Sequence, residues 1–94
     1  MESVVEVQEH SAKVETFEIN HAGDLKPFKY IADERVETVI VDAIRRFQLA
    51  AQPHQLGLFK AGQTNPLESS KTLREADVRP GEVLILRPIV VQGG

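Results

Sequence analysis

The sequence contains no cysteine. Disulfide staples, thiolate zinc sites and a cysteine nucleophile are therefore excluded from this chain, and any thioester chemistry it enters must use a partner's sulfur. Aromatic residues make up only 5% of its 94 residues, which suit one domain with a modest core. Lysine and arginine form no dense cluster and the formal net charge is −3. Neutralising a row of phosphates takes clustered basic side chains, so nucleic acid is not an expected partner. No apolar run approaches the roughly 18–20 residues that span a bilayer, so no membrane partner is expected. The opening MESVVEVQEH is acidic and lacks the basic start and long apolar stretch of a secretory signal. The expected location is cytoplasmic.

What is present is ordinary for a globular domain, 41% hydrophobic and 27% charged. Residues 1–12 set Glu2, Glu6 and Glu9 around Val4, Val5 and Val7, and read as a flexible leader. In residues 13–20, Phe17 and Ile19 alternate with polar neighbours, which predicts a strand with one buried face. His21-Ala22-Gly23-Asp24 supplies a hairpin turn. Residues 25–31 return as a second strand, with Pro27 fitting only an edge or a bulge.

The clearest element is a helix. Asp33 is placed to cap it, and Val36, Val39, Ile40, Ala43, Ile44, Phe47, Ala50 and Ala51 form one apolar stripe that ends before Pro53. On the polar face, Asp42 and Arg46 stand four apart and suit an ion pair. Replacing Phe47 by alanine should then cost about 3–5 kcal/mol. Residues 55–60 read as a short strand and residues 61–66 as a loop. Leu67 re-enters the core beside a short strand, residues 72–76 make a helical turn, and residues 82–86 form the last strand. Two strands, a crossing helix and a returning sheet predict an α+β fold, a mixed sheet packed on one helix. Val36, Ile40, Ile44 and Phe47 should pack on Phe17, Ile19, Leu58 and Ile85. The domain is expected over residues 13–88, followed by a flexible tail over residues 89–94.

Several residues invite chemistry. His10, His21 and His54 are scattered without metal-ligand spacing, and are read as surface histidines, with no metal site. Ser69-Ser70-Lys71 resembles a serine–lysine pair, but lies in a polar loop without an oxyanion hole in view. Leu56 and Leu58, with either Leu84 and Leu86 or Val83 and Ile85, could form an outward apolar face for partners. A one-residue slip of register exchanges the faces; the set Leu56, Leu58, Leu84 and Leu86 is carried forward as the candidate. The sequence closes on Val90-Val91-Gln92-Gly93-Gly94.

Over about its last forty residues the chain resembles ubiquitin and its relatives. The resemblance rests on Gln55-Leu56-Gly57-Leu58-Phe59, Ala61-Gly62, Leu67-Glu68-Ser69-Ser70-Lys71-Thr72-Leu73, Val83-Leu84-Ile85-Leu86-Arg87 and Gly93-Gly94. The first half agrees in pattern more than in letters. The resemblance implies a ubiquitin-like β-grasp fold and a protein modifier rather than an enzyme. Val90, Val91 and Gln92 stand where ubiquitin has arginines that its activating enzyme reads, so a dedicated activating enzyme is implied. Gln63 stands at the position of ubiquitin's main chain-building lysine. These departures and the long leader resemble the modifier of a bacterial ubiquitin-like conjugation system more than ubiquitin itself.

In that family the terminal glycine carboxylate attacks the α-phosphate of ATP. The resulting acyl adenylate passes to an enzyme cysteine as a thioester, which splits one hard acylation into easier steps. Residues without Cβ can thread a narrow site, which is the role implied for Gly93 and Gly94. The implied partners are the activating enzyme, a conjugating enzyme, a deconjugating protease and target proteins. ATP and Mg²⁺ belong to the activating enzyme, and the chain itself needs no cofactor. Two other readings stay open: a sulfur carrier whose Gly94 ends as a thiocarboxylate, and a β-grasp interaction module that is never conjugated.

Overall fold

The computed structural model describes residues 13–89. Strand β1 (Val14–His21) turns into β2 (Asp24–Ile31), helix α1 (Val36–Arg46) follows, a 3₁₀ turn (Pro53–Gln55) leads into β3 (Leu56–Lys60), and β4 (Val83–Pro88) comes last. The sheet order is β2-β1-β4-β3. β1 pairs antiparallel with β2 and parallel with β4, while β3 and β4 are antiparallel. The sheet is mixed and carries α1 on one face, as the patterning predicts. The short strand expected near Leu67 does not form among the described residues. Leu67 instead gives a single backbone hydrogen bond to the Leu58 carbonyl (2.8 Å) and packs half-buried against the core.

The hairpin follows its turn residues. His21 pairs with Asp24, so only Ala22 and Gly23 form the loop, both at positive φ (53° and 91°). This left-handed pair matches the twist of the flanking strands, and the Asn20 side chain accepts the Gly23 amide at 3.0 Å. Pro27 opposes Glu18 on β2, an edge strand of the four-stranded order, where a missing donor breaks no ladder.

Helix α1 differs from expectation at both ends. Asp33 does not cap it; its carboxylate pairs with Arg74 Nε at 3.0 Å. Arg35 occupies the cap without a side-chain bond. The first amides are satisfied by another loop, since Val36 donates to the Lys71 carbonyl (2.8 Å) and Glu37 to the Ser69 carbonyl (3.0 Å). The end comes at Arg46, short of Ala50 and Ala51, because Gln48 adopts a left-handed conformation (φ 58°). Gln48 then donates to the Arg45 carbonyl and Leu49 to the Ile44 carbonyl. That pair of bonds is a Schellman stop, here built on glutamine where glycine is usual. The expected Asp42–Arg46 pair is absent as well. Arg46 lies over the Phe28 ring (4.1 Å) and donates to the Pro27 carbonyl (2.8 Å). Asp42 accepts the Tyr30 hydroxyl and stands 3.9 Å from Arg45.

The core joins Phe17, Ile19 and Phe28 from β1 and β2 to Val36, Val39, Ile40 and Ala43 from α1, with Leu73 closing one end. Leu58, Leu84 and Leu86 complete it from β3 and β4, exposed by no more than 1%. Ile44 and Phe47 are only partly buried at its margin, and Ile85 points away from it. No polar or charged residue is buried among the described residues. No helix among them is long and apolar enough to cross a membrane.

Candidate functional site

The candidate partner face must be corrected. Leu56, Leu58, Leu84 and Leu86 are 5%, 0%, 0% and 1% exposed and belong to the core. The alternation of the strands then sends Gly57 and Phe59 of β3, with Val83, Ile85 and Arg87 of β4, to the opposite face. The register confirms the grouping, since Phe59 opposes Ile85 and Gly57 opposes Arg87. Arg87 itself carried the signal in the sequence: an exposed cation on the 83-85-87 series marks that series as outward. Lys60 pointed the other way, since it shares the 56-58-60 series with two core leucines. At the strand's end Lys60 escapes burial by reaching the Asp77 carbonyl (2.6 Å) and Glu82 (3.8 Å).

The outer face is not bare hydrocarbon. The Arg87 guanidinium lies 3.9 Å from the Phe59 ring centroid and covers it. Phe59 is thereby only 4% exposed, while Val83 and Ile85 are half-buried. A partner reaching Phe59 from this side meets a stacked cation first.

β4 leads directly to the terminal segment. Ile89 donates to the Gln55 carbonyl (3.0 Å), which extends the ladder one residue beyond Pro88. Its side chain lies over Gly57, where an added Cβ would come within 3.0 Å of both Ile89 Cγ1 and Pro66 Cβ. Ile89 thus belongs to the domain and not to the tail expected over residues 89–94. Val90, Val91, Gln92, Gly93 and Gly94 lie outside the described residues, as do the leader and His10.

The remaining candidates have structural employment. Ser69, Ser70 and Lys71 place their carbonyls on the start of α1 and on Arg35, whose guanidinium reaches the Ser70 carbonyl at 3.2 Å. The loop is a cap for the helix, with no nucleophile geometry. His21 Nδ1 stands 3.1 Å from the Leu86 carbonyl and its ring lies 5.6 Å from Phe47. His54 is exposed within the 3₁₀ turn. Among the described residues no group of three or more His, Asp or Glu side chains could hold a metal ion.

No family model and no curated protein matches the sequence. Among solved structures, the chain superposes on a protein designed on the basis of ubiquitin, with a TM-score of 0.70 at 22% identity. The match covers 86% of this chain and 95% of the designed one. The fold is ubiquitin-like. The mixed four-stranded sheet with one helix across it is therefore the α+β β-grasp arrangement. In this ubiquitin-like frame β4 lies between β1 and β3, and the sequence from Ile89 to Gly94 continues from the end of an internal strand.

Proposed function

We propose that the chain is a ubiquitin-like protein modifier. Its Gly94 carboxylate is adenylated by a dedicated activating enzyme that supplies ATP and Mg²⁺, passed through enzyme cysteines as a thioester and joined to target proteins. The observation that carries this reading is the union of a ubiquitin-like fold with a Gly-Gly sequence that follows β4 at short range. Such a placement lets a rigid domain present a narrow, uncharged chain to an enzyme channel. Val90, Val91 and Gln92 are the residues that select the activating enzyme, and a deconjugating protease reads the same segment. The chain is the substrate of these steps and performs none of them. It works in the cytoplasm, in the manner of a bacterial conjugation system.

The test is activation in solution. With its activating enzyme, ATP and Mg²⁺, the full chain should form an adenylate and then a thioester that thiol reductants cleave. Deleting Gly93 and Gly94 should abolish both while leaving the unfolding transition unchanged. Gly94→Val should slow activation sharply, because a Cβ obstructs the channel. Intact mass separates the outcomes. A product differing from the chain by one oxygen-to-sulfur exchange means a sulfur carrier. A ladder of heavier conjugates means a modifier. If neither forms, and the truncated chain serves every cellular role of the full one, the domain is an interaction module.

A further inference from the structure

An open groove of about 840 Å³ lies between α1 and β3, an edge strand of the sheet order. Ile40 and Val41 form one wall, Pro66 and Leu67 another, and Leu56 and Ile89 add to the apolar lining. Val41 is 40% exposed, a branched side chain left in water outside the stripe that packs on the sheet. Its neighbours Glu37 and Thr38 on α1 are exposed as well. The volume falls in the range of about 300–1,000 Å³ that is usual for ligand sites.

Backbone groups that border the groove are already engaged. The Leu58 carbonyl on β3 takes the Leu67 amide (2.8 Å), and the Leu56 amide turns back to the Pro53 carbonyl. At the start of α1, the Val36 and Glu37 amides are held by the Lys71 and Ser69 carbonyls, and those of Thr38 and Val39 by the Arg35 carbonyl. A strand added here would find little edge to pair with, and an anion would find no free amide in the first turn. The occupant must satisfy its own backbone and bind through its side chains, as an α-helix does.

We propose that this groove docks an amphipathic helix of a partner protein, one whose apolar face is flanked by lysine or arginine. Charge selects that partner. Glu37 on α1 and Glu68 on the facing loop both line the groove and are both exposed. Lys71 stands 3.9 Å from Glu68 but is not part of the lining, and apart from the His54 imidazole no basic side chain lines the groove among the described residues. A rim of one sign attracts the opposite sign and turns away acidic helices of the same shape. The site lies apart from the outer face of Phe59, Ile85 and Arg87, and its use requires no conjugation, so it goes beyond the modifier reading.

The test uses the full chain and two synthetic helical peptides, each with leucines at i, i+3, i+4 and i+7. One carries lysine and arginine flanks, the other glutamate flanks. In amide spectra the basic peptide should shift Thr38, Val41, Leu56 and Leu67, and should bind about tenfold more tightly than the acidic one. Glu37→Lys combined with Glu68→Lys should reverse that order, and both positions are exposed, so the fold is kept. Val41→Ala should weaken the basic peptide about fivefold through lost apolar contact. Equal affinity of the two peptides, an order unchanged by the charge reversal, or shifts confined to Phe59, Ile85 and Arg87 overturn the proposal. So does the absence of shifts at about 1 mM peptide. Shifts at the same amides on concentrating the chain alone overturn it in favour of a second copy, and shifts caused by vesicles of anionic phospholipid overturn it in favour of a membrane surface.

Discussion

The hydroxyl of Tyr30 on β2 donates to the carboxylate of Asp42 on α1, across the open side of the β1–β2 hairpin. This bond ties the edge strand to the helix beside the Arg46–Pro27 contact, while within the hairpin the Tyr30 ring packs near Phe17 (5.9 Å) and Phe28 (6.3 Å). Burial, chiefly, and then the Asp42 bond push the Tyr30 hydroxyl well above its usual range.

The sign of that shift fixes a pH dependence. A folded-state value raised above the unfolded one stabilises the protein while the phenol is neutral. The contribution is fully present below about pH 10 and lost as pH rises through the folded value. Unfolding free energy should therefore fall above about pH 10, and Tyr30→Phe should flatten that fall. Tyr30 is the single tyrosine of the sequence, so phenolate absorbance follows this group alone. A midpoint at or below the free-tyrosine value would refute the assignment. At neutral pH, Tyr30→Phe should cost about 1 kcal/mol, because the bond is half-exposed.

Phe28 and Phe47 should separate in stability. Phe28 is 1% exposed, and its replacement by alanine should cost about 3–5 kcal/mol. Phe47 lies at the margin, its ring 5.6 Å from His21 and 6.2 Å from Phe28. Its replacement should cost about 2 kcal/mol, less than a fully buried position would give. Equilibrium denaturation that reverses this order would show that the helix packs differently.

Gly57→Ala should be costly for a reason of space. The new methyl would press on Ile89 Cγ1 and Pro66 Cβ, each 3.0 Å away. A loss of about 1–3 kcal/mol is expected, with displaced Ile89 resonances. An unchanged denaturation midpoint would mean that both neighbours yield freely.

Thr72 and Glu75 form a reciprocal cap, the Thr72 Oγ1 accepting the Glu75 amide (3.1 Å) and the Glu75 carboxylate accepting the Thr72 amide (3.0 Å). Thr72→Ala should cost about 1 kcal/mol, whereas Glu75→Gln should cost much less, since an amide oxygen still accepts. Equal losses for the two variants would argue against the cap.

The elements set by periodicity were legible in the sequence. Phe17, Ile19, Val36 and Ile40 alternate or recur in one register only, and each is buried as that register demands. The turn at 72–76 also follows its residues, with Ala76 donating to the Thr72 carbonyl. The helix ends were not legible. At the start, the acceptors are carbonyls of residues 69 and 71, which no side-chain pattern announces. At the stop, Gln48 takes a conformation usually left to glycine. The outer face was half legible. Both β3 and β4 carry large apolar residues on each side, so hydrophobicity alone could not choose between them. Arg87 could, and its cover over Phe59 is a tertiary contact between neighbouring strands.

The strand order has a consequence for synthesis. Among the described residues β4 is the last strand in sequence yet stands between β1 and β3, and its parallel register with β1 joins Glu18 to Val83. A chain made only as far as Gly81 holds two unjoined parts of the sheet, the β1–β2 hairpin with its helix and the lone strand β3. Neither part can complete the core until Val83–Pro88 slots between them and supplies Leu84 and Leu86. Folding is therefore a late, single closure governed by the most distant contacts in the chain. An incomplete translation product offers chaperones and proteases an open core.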